Sequence, residues 1–234
     1  MIKRTDWHTH ILPQIDDGSS SVEESLEMLK ILAESGVETV ALTPHFYPDR
    51  NYPEVFLEAR EASYKKLQAA LTTEAPNLLL GAEVAYFDGI RTCDDMRALV
   101  IEQTNCLLIE MPMCVWNERM FENILRLARR IDIVPVLAHI DRYFLRKKDW
   151  EMIKEYIAEG GLIQANADFF INRLSERKSL KLFEEGAIHL FGSDCHNMTK
   201  RPPTIGKAFD MIDQKASETS IEETNSIIES LFQK

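Results

Sequence analysis

The sequence predicts an α/β protein whose parallel strands close, or nearly close, into a barrel. Three observations carry this. Short apolar runs alternate with amphipathic stretches seven times along the chain, the pattern of parallel strands joined by crossover helices. A length of 234 residues suits one α/β barrel. No glycine-rich nucleotide turn stands out after a strand, so an open doubly wound sheet is the weaker alternative.

The elements follow in order. Asp6 to His10 can be extended, which puts His8 and His10 on one face, and Gly18 lets the following loop turn sharply. Ser21 and Glu24 have capping-box spacing ahead of a helix whose apolar face is Leu26, Met28, Leu29, Ile31 and Leu32 and whose stop is Gly36. Val37–Thr43 reads as the second strand, halted by Pro44-His45. A charged helix runs from about Pro53 to Thr73, and Leu78–Val84 is the third strand. Leu107–Met111 is the fourth, followed by an amphipathic helix over Glu118–Arg130. Val134–His139 is the fifth, with a helix around Trp150–Glu159. Leu162–Asn166 is the sixth, with a helix near Leu174–Glu185, and Ile188–His196 is the seventh. Helices at about Ile205–Gln214 and Ile221–Phe232 close the chain. No linker divides it, so one domain is expected over 1–234, with the C-terminal helices (about 204–234) packed on the barrel.

Bulk properties narrow the class. The chain is 45% hydrophobic and 28% charged, enough apolar material for a core. A formal net charge of -11 disfavours nucleic acid as the main partner. No apolar run reaches the length of a membrane span, and the polar N-terminus lacks a secretory signal's apolar core. Four cysteines (Cys93, Cys106, Cys114 and Cys195) show no CxxC spacing. A reduced, cytoplasmic protein is the expectation.

The chemistry is expected where the strands end. His8, His10, His45, Glu83, Glu110, His139, Asp194 and His196 all fall at or just past the C-terminal ends of predicted strands, which converge on one rim in a β/α barrel. The His8-x-His10 pair alone fits a satisfied surface pair as well as it fits metal ligands. The other residues at the rim tip that balance. Imidazoles and carboxylates without thiolates suit Mn, Fe or Zn. With Asp17 the candidates number nine, more than one ion can use, so two or three divalent ions are implied. Glu83 and Glu110 each end an apolar strand, where an unpaired acid is costly. Asp16 reads as a solvated loop residue, and His189, at the far end of the last strand, as structural. Arg142 lies three residues after His139, and a guanidinium there can fork onto phosphate oxygens. Cys195 and Arg201 spell Cys-x5-Arg, the spacing of cysteine-dependent tyrosine phosphatases. The intervening residues hold no glycine to wrap phosphate, so that mechanism is set aside.

Taken together, His8-x-His10, Thr43-Pro44-His45, Gly81-Ala82-Glu83, Glu110, Ala138-His139-x-x-Arg142-Tyr143 and Gly192-Ser193-Asp194-x-His196-Asn197 resemble the PHP (polymerase and histidinol phosphatase) superfamily. Within it, His10-Ile-Leu-Pro-x-x-Asp-Asp-Gly18 and Arg201-Pro-Pro203 look like the bacterial metal-dependent protein-tyrosine phosphatases of the CpsB type. The resemblance spans about 6 to 215. It implies a distorted (β/α)7 TIM-like barrel, the PHP fold, with a trinuclear and usually manganese-dependent centre. By the match, His8, His10, Glu83 and Asp194 would surround one ion. Glu83, Glu110 and His139 would hold a second, and Asp17, His45 and His196 a third. Arg142 and Arg201 match the family's phosphate-binding arginines. Asp141 departs from the family, standing where a longer acid is common.

The implied activity is hydrolysis of protein phosphotyrosine by a metal-bridging hydroxide, on a bacterial tyrosine kinase of capsular or exopolysaccharide export. Two rivals keep the metal site: a small-molecule phosphomonoesterase such as histidinol phosphatase, and a non-catalytic metal-stabilised module that binds a partner kinase.

Overall fold

Two of the seven predicted strands are broken, and the breaks place the site. In the computed structural model, which describes residues 1–232, the strand segments are β1 (Thr5–Thr9), β2 (Thr39–Leu42), β3 (His45–Phe46), β4 (Asn77–Leu80), β5 (Glu83–Ala85), β6 (Cys106–Glu110), β7 (Val134–Leu137), β8 (Leu162–Asn166) and β9 (Leu190–Gly192). The final positions of the predicted 1–234 domain, 233 and 234, lie outside the described residues. All named pairs are parallel, in the orders β1-β2-β4 and β3-β5-β6-β7-β8-β9.

The predicted second strand does not stop at Pro44-His45. Pro44 has no N–H for the ladder, and the strand switches partners there: Thr43 N–H still donates to Thr9 O at 2.9 Å, while Pro44 O accepts from Glu83 N–H at 3.0 Å. The predicted third strand breaks likewise at Gly81-Ala82. The freed Gly81 carbonyl accepts from Arg60 Nη1 at 2.8 Å. Beyond the breaks, β3 and β5 pair with His45 opposite Glu83. The kinks thus put two candidate ligands side by side.

The barrel closes between its first and last strands. Thr9 bridges Cys195, Asp194 N–H donates to His8 O at 2.8 Å, and His10 N–H donates to Cys195 O at 2.9 Å.

The helices are α1 (Val22–Glu34), α2 (Pro53–Gln68), α3 (Glu118–Ile131), α4 (Lys147–Ala158), α5 (Ala167–Ile171), α6 (Glu176–Glu184), α7 (Ile205–Lys215) and α8 (Glu218–Leu231). Ser21 caps α1 by accepting from Glu24 N, and Glu24 reaches back to Ser20 N, completing a box one residue earlier than the spacing predicts. α2 ends at Gln68, short of Thr73. α4 starts at Lys147 because the Asp149 carboxylate accepts from Arg146 N at 2.7 Å and pairs with its guanidinium. The crossover from β5 to β6 has no α-helix, only 3-10 turns at Ile90–Thr92 and Asp94–Leu99. This is where the barrel departs most from regularity.

Ala41, Leu79, Leu108, Val136 and Leu190, from five strands, form one buried cluster to which α8 adds Ile228 and Leu231. Each of the larger side chains, the leucines, Val136 and Ile228, contributes roughly 1.5–3 kcal/mol on burial. The C-terminal helices are also tied to the N-terminus: Ile2 N–H donates to Asp213 at 2.7 Å, Arg4 pairs with Asp210 at 2.6 Å, and Trp7 packs on Phe232. Among the described residues no helix is long and apolar enough to cross a membrane.

Candidate metal centre

The nine predicted ligands come together in one bowl at the C-terminal rim. Glu83 lies at its centre. Its Oε2 is 2.8 Å from His45 Nδ1, 3.3 Å from His8 Nε2 and 3.4 Å from His10 Nε2, while its Oε1 is 2.8 Å from His139 Nε2. Glu110 approaches the same His139 nitrogen at 3.6 Å. Asp194 Oδ1 is 3.6 Å from His8 Nε2 and 3.5 Å from His10 Nε2. Asp17, exposed at the mouth, faces His45 at 3.4 Å and His196 at 3.5 Å.

Three ligand groups can be drawn: His8, His10 and Asp194; His45, Glu83 and Glu110; and His10, Asp17, His45 and His196. They overlap more than the resemblance implies. His10 joins the Asp17 group, and His45 belongs to two groups at once.

Local structure aims these side chains. His139 and Asp194 have left-handed backbones, φ +33° and +51°, unusual for residues with a Cβ and costing of order 1–3 kcal/mol each. Both sit just past strand ends, where the chain must turn while the side chain points back into the bowl. Gly18 permits the loop after His10 to fold against β1: a Cβ there would lie 2.2 Å from His10 O.

One expectation is overturned. Asp16 is not a solvated loop residue; its side chain is 7% exposed. Its Oδ2 accepts from His10 Nδ1 at 2.7 Å and from His45 N–H at 3.0 Å, and its Oδ1 accepts from Gly18 N–H at 2.9 Å. Despite burial, these bonds lower its pKa to about 2. Asp16 therefore orients two of the candidate ligands. Asp17, its neighbour, turns outwards to the mouth.

Sequence reasoning also missed Tyr47, whose ring stacks on His45 at 5.1 Å and carries the Arg50 guanidinium 4.5 Å from its centroid. Burial first, then the carboxylates of Glu110, Glu83 and Asp17, push its phenol up to about 12. A tyrosine two residues past a predicted ligand carries no signal in one sequence.

The donor set fits divalent cations. His10 Nδ1 donates to Asp16, and His8 Nδ1 faces Gln164 Oε1 at 3.3 Å, so each ring, when it carries a single proton, turns a bare Nε2 atom into the bowl. Those two atoms stand 3.1 Å apart. Two imidazole lone pairs aimed at each other repel unless a cation lies between them. Glu83 Oε2 and Asp194 Oδ1, each within 3.6 Å of both Nε2 atoms, accept no well-aligned hydrogen bond.

The pKa values carry the same message. Burial opposes a charged His10, yet hydrogen bonds to Asp16, Asp194 and Glu83 raise its pKa well above the ordinary value. His139 is raised to about 9 against burial by Glu110 and Glu83. Glu83 and Asp194, despite burial, are held well below the carboxylate range by His8 and the other imidazoles. The bowl is a trap for positive charge.

Arg142 and Arg201 both stand at the mouth, about a third exposed, and both pair with Asp194; Arg201 does so at 2.5 Å and also donates to His196 Nε2 at 2.7 Å. Asp141, the residue that departs from the superfamily pattern, accepts from Asn166 N–H at 2.8 Å and so braces β8. Cys195 is fully buried, and burial drives its thiol well above the usual pKa. That is the reverse of what a nucleophilic cysteine needs. His189 is buried away from the bowl and accepts from Ile163 N–H at 3.1 Å.

The family described as capsular polysaccharide synthesis, CpsB/CapC, matches residues 4–227. The chain belongs to the CpsB/CapC family. It is 28% identical to the tyrosine-protein phosphatase CpsB of Streptococcus agalactiae, over 97% of this chain and 99% of that protein. It is 29% identical to CpsB of Streptococcus pneumoniae, over 90% of each. The tyrosine-protein phosphatase YwqE of Bacillus subtilis is 26% identical, over 84% of this chain and 78% of that protein. The fold superposes on a structure from work on YwqE and CpsB with a TM-score of 0.82 at 22% identity, covering 98% of this chain and 94% of the other. YwqE and CpsB are described there as metal-dependent tyrosine phosphatases. This CpsB/CapC chain shares their fold from the first strand to the C-terminal helices.

Proposed function

We propose that this chain is a metal-dependent phosphatase acting on protein phosphotyrosine. The observation that carries the reading is the pair of guanidiniums, Arg142 and Arg201, converging on Asp194 at the mouth of a bowl of imidazoles and carboxylates. The names of its CpsB and YwqE relatives support the substrate class. His8, His10, Asp17, His45, Glu83, Glu110, His139, Asp194 and His196 hold two or three divalent ions, manganese first, with iron or zinc as alternatives. When bound, such ions supply Lewis-acid charge for the phosphoryl oxygens and lower the pKa of water.

The chain's own groups do the rest. Arg142 and Arg201 present forked N–H donors at the mouth, and the phosphoryl oxygens of substrate take over donors that otherwise pair with Asp194. A phenolate leaving group, with a pKa of about 10, needs less protonation than an alkoxide. Tyr47 and the solvent-facing Asp17 border the entrance through which the aryl group leaves. The barrel with its C-terminal helices acts as one catalytic domain, in the cytoplasm, on an autophosphorylated kinase of polysaccharide export.

The test is chelation followed by reloading. Stripped protein is expected to lose turnover of a phosphotyrosyl peptide and to recover it with Mn(II). Histidinol phosphate is run in parallel. A higher kcat/KM for histidinol phosphate overturns the substrate assignment. Full metal occupancy with no turnover of either ester overturns the enzyme assignment in favour of a binding module.

A further inference from the structure

Strand β8 brings no imidazole or carboxylate to the rim. Its two polar residues, Gln164 and Asn166, are nevertheless buried, two apart on one face of the strand. Gln164 Oε1 accepts from His139 N–H at 2.7 Å and lies 3.3 Å from His8 Nδ1. Gln164 Nε2 donates to Asn166 Oδ1 at 3.0 Å, and Asn166 Nδ2 donates to Asp194 Oδ2 at 3.0 Å.

The polarity of this chain of bonds is fixed from both ends. A backbone N–H can only donate and an ionised carboxylate can only accept, so each amide has one allowed orientation. His8 can then satisfy Gln164 Oε1 only by carrying its proton on Nδ1. Its Nε2 lone pair is left facing the bowl. The fit is tight: a Cβ on Gly192 would lie 2.7 Å from Gln164 Nε2 and 2.5 Å from His8 Cβ. Glycine at 192 is what lets the glutamine lie against His8.

We propose that Gln164 and Asn166 form an amide relay that presets the metal centre. Gln164 selects the His8 tautomer that offers Nε2 and pins the left-handed backbone of His139, while Asn166 aims the Asp194 carboxylate. Both are positioning residues and neither is a ligand. Neutral amides suit the task because they hold imidazole and carboxylate ligands in line without adding charge that competes for the ions. The inference rests on reading the bowl as a metal centre.

The test measures Mn(II) affinity of the full-length, metal-stripped protein by calorimetry, beside the melting temperature of the same metal-free samples. Gln164→Met keeps the volume and removes the contacts to His139 N–H, His8 Nδ1 and Asn166 Oδ1 together. Asn166→Ala, nearer the rim where water can fill in, covers the case in which the methionine variant does not fold. His189→Leu is the control: it removes a buried bond to the Ile163 N–H of the same strand and touches no ligand. Mn(II) affinity is expected to fall about 10–100-fold for Gln164→Met and about tenfold for Asn166→Ala, with His189→Leu at the parent value. Affinity within twofold of the parent in both relay variants, or an equal loss in His189→Leu, overturns the relay. A parent protein that binds no Mn(II) overturns the metal-centre reading instead.

Discussion

His189 and His196 flank the same strand, both are buried, and both have pKa values lowered to about 4. Their surroundings have nothing else in common. For His189 desolvation is the cause of the shift, and its ring accepts from the Ile163 backbone N–H. For His196 burial is joined by the positive charges of His10 and Arg201 and opposed by Asp194 and Asp17. Depth and residue type are the same; the neighbours differ. A buried histidine whose shift comes from desolvation alone reads as scaffold, and one among titratable groups is the candidate for chemistry.

The largest way to break this contrast is to remove the carboxylate that the bowl shares. Glu83→Ala takes away a partner of His8, His10, His45 and His139 together. Aryl phosphatase activity at saturating Mn(II) is expected to fall at least about 10³-fold, roughly 4 kcal/mol. Activity within tenfold of the parent would remove Glu83 from the centre. Next come Arg142→Lys and Arg201→Lys, which keep the charge and lose the fork. Each is expected to lower kcat/KM about 10–100-fold with bound metal unchanged. A change in metal content in place of kcat/KM would make them part of the metal-holding set.

His189 sharpens the contrast from the other side. Its folded pKa, about 4, lies below the ordinary 6.5, so the unfolded chain takes up the proton first as pH falls. Its contribution is complete above pH 6.5 and is lost on the way down to about 4. Between pH 7 and pH 5 the loss is about 2 kcal/mol. Urea melts at the two pH values should show that increment in the parent and not in His189→Gln, whereas equal pH slopes count against the assignment. The smallest effect belongs to Cys195→Ser. With the thiol buried and its pKa raised, kcat should stay within about threefold of the parent. A serine variant that keeps its metal and loses turnover would return the cysteine mechanism to consideration.

The strand–helix alternation was legible because each apolar run is short and bounded, and the candidate ligands at the rim were legible because they end those runs. The breaks at Thr43-Pro44 and Gly81-Ala82 were not, since a proline or glycine that ends a strand looks the same as one that shifts it to the next sheet. Asp16 and Asp17 show the limit most sharply. They are identical and adjacent, and loop backbone alone decides which turns inwards to His10 and which faces water. Gln164 and Asn166 were passed over because amides neither titrate nor ligate strongly, and their role exists only through partners brought from β1, β7 and β9. The crossover before β6 holds no helical periodicity, and it forms none beyond 3-10 turns.

The seam between β1 and β9 has a consequence for biosynthesis. Ser193 N–H donates to Asp6 across 187 positions of sequence, and His8 is joined to Asp194 through the backbone. A nascent chain still missing its last strand holds most of the imidazoles and has no cup to gather them in. The bowl is therefore complete only once the chain has been made through His196, and a proteolytic cut ahead of Asp194 would undo wall and contents together.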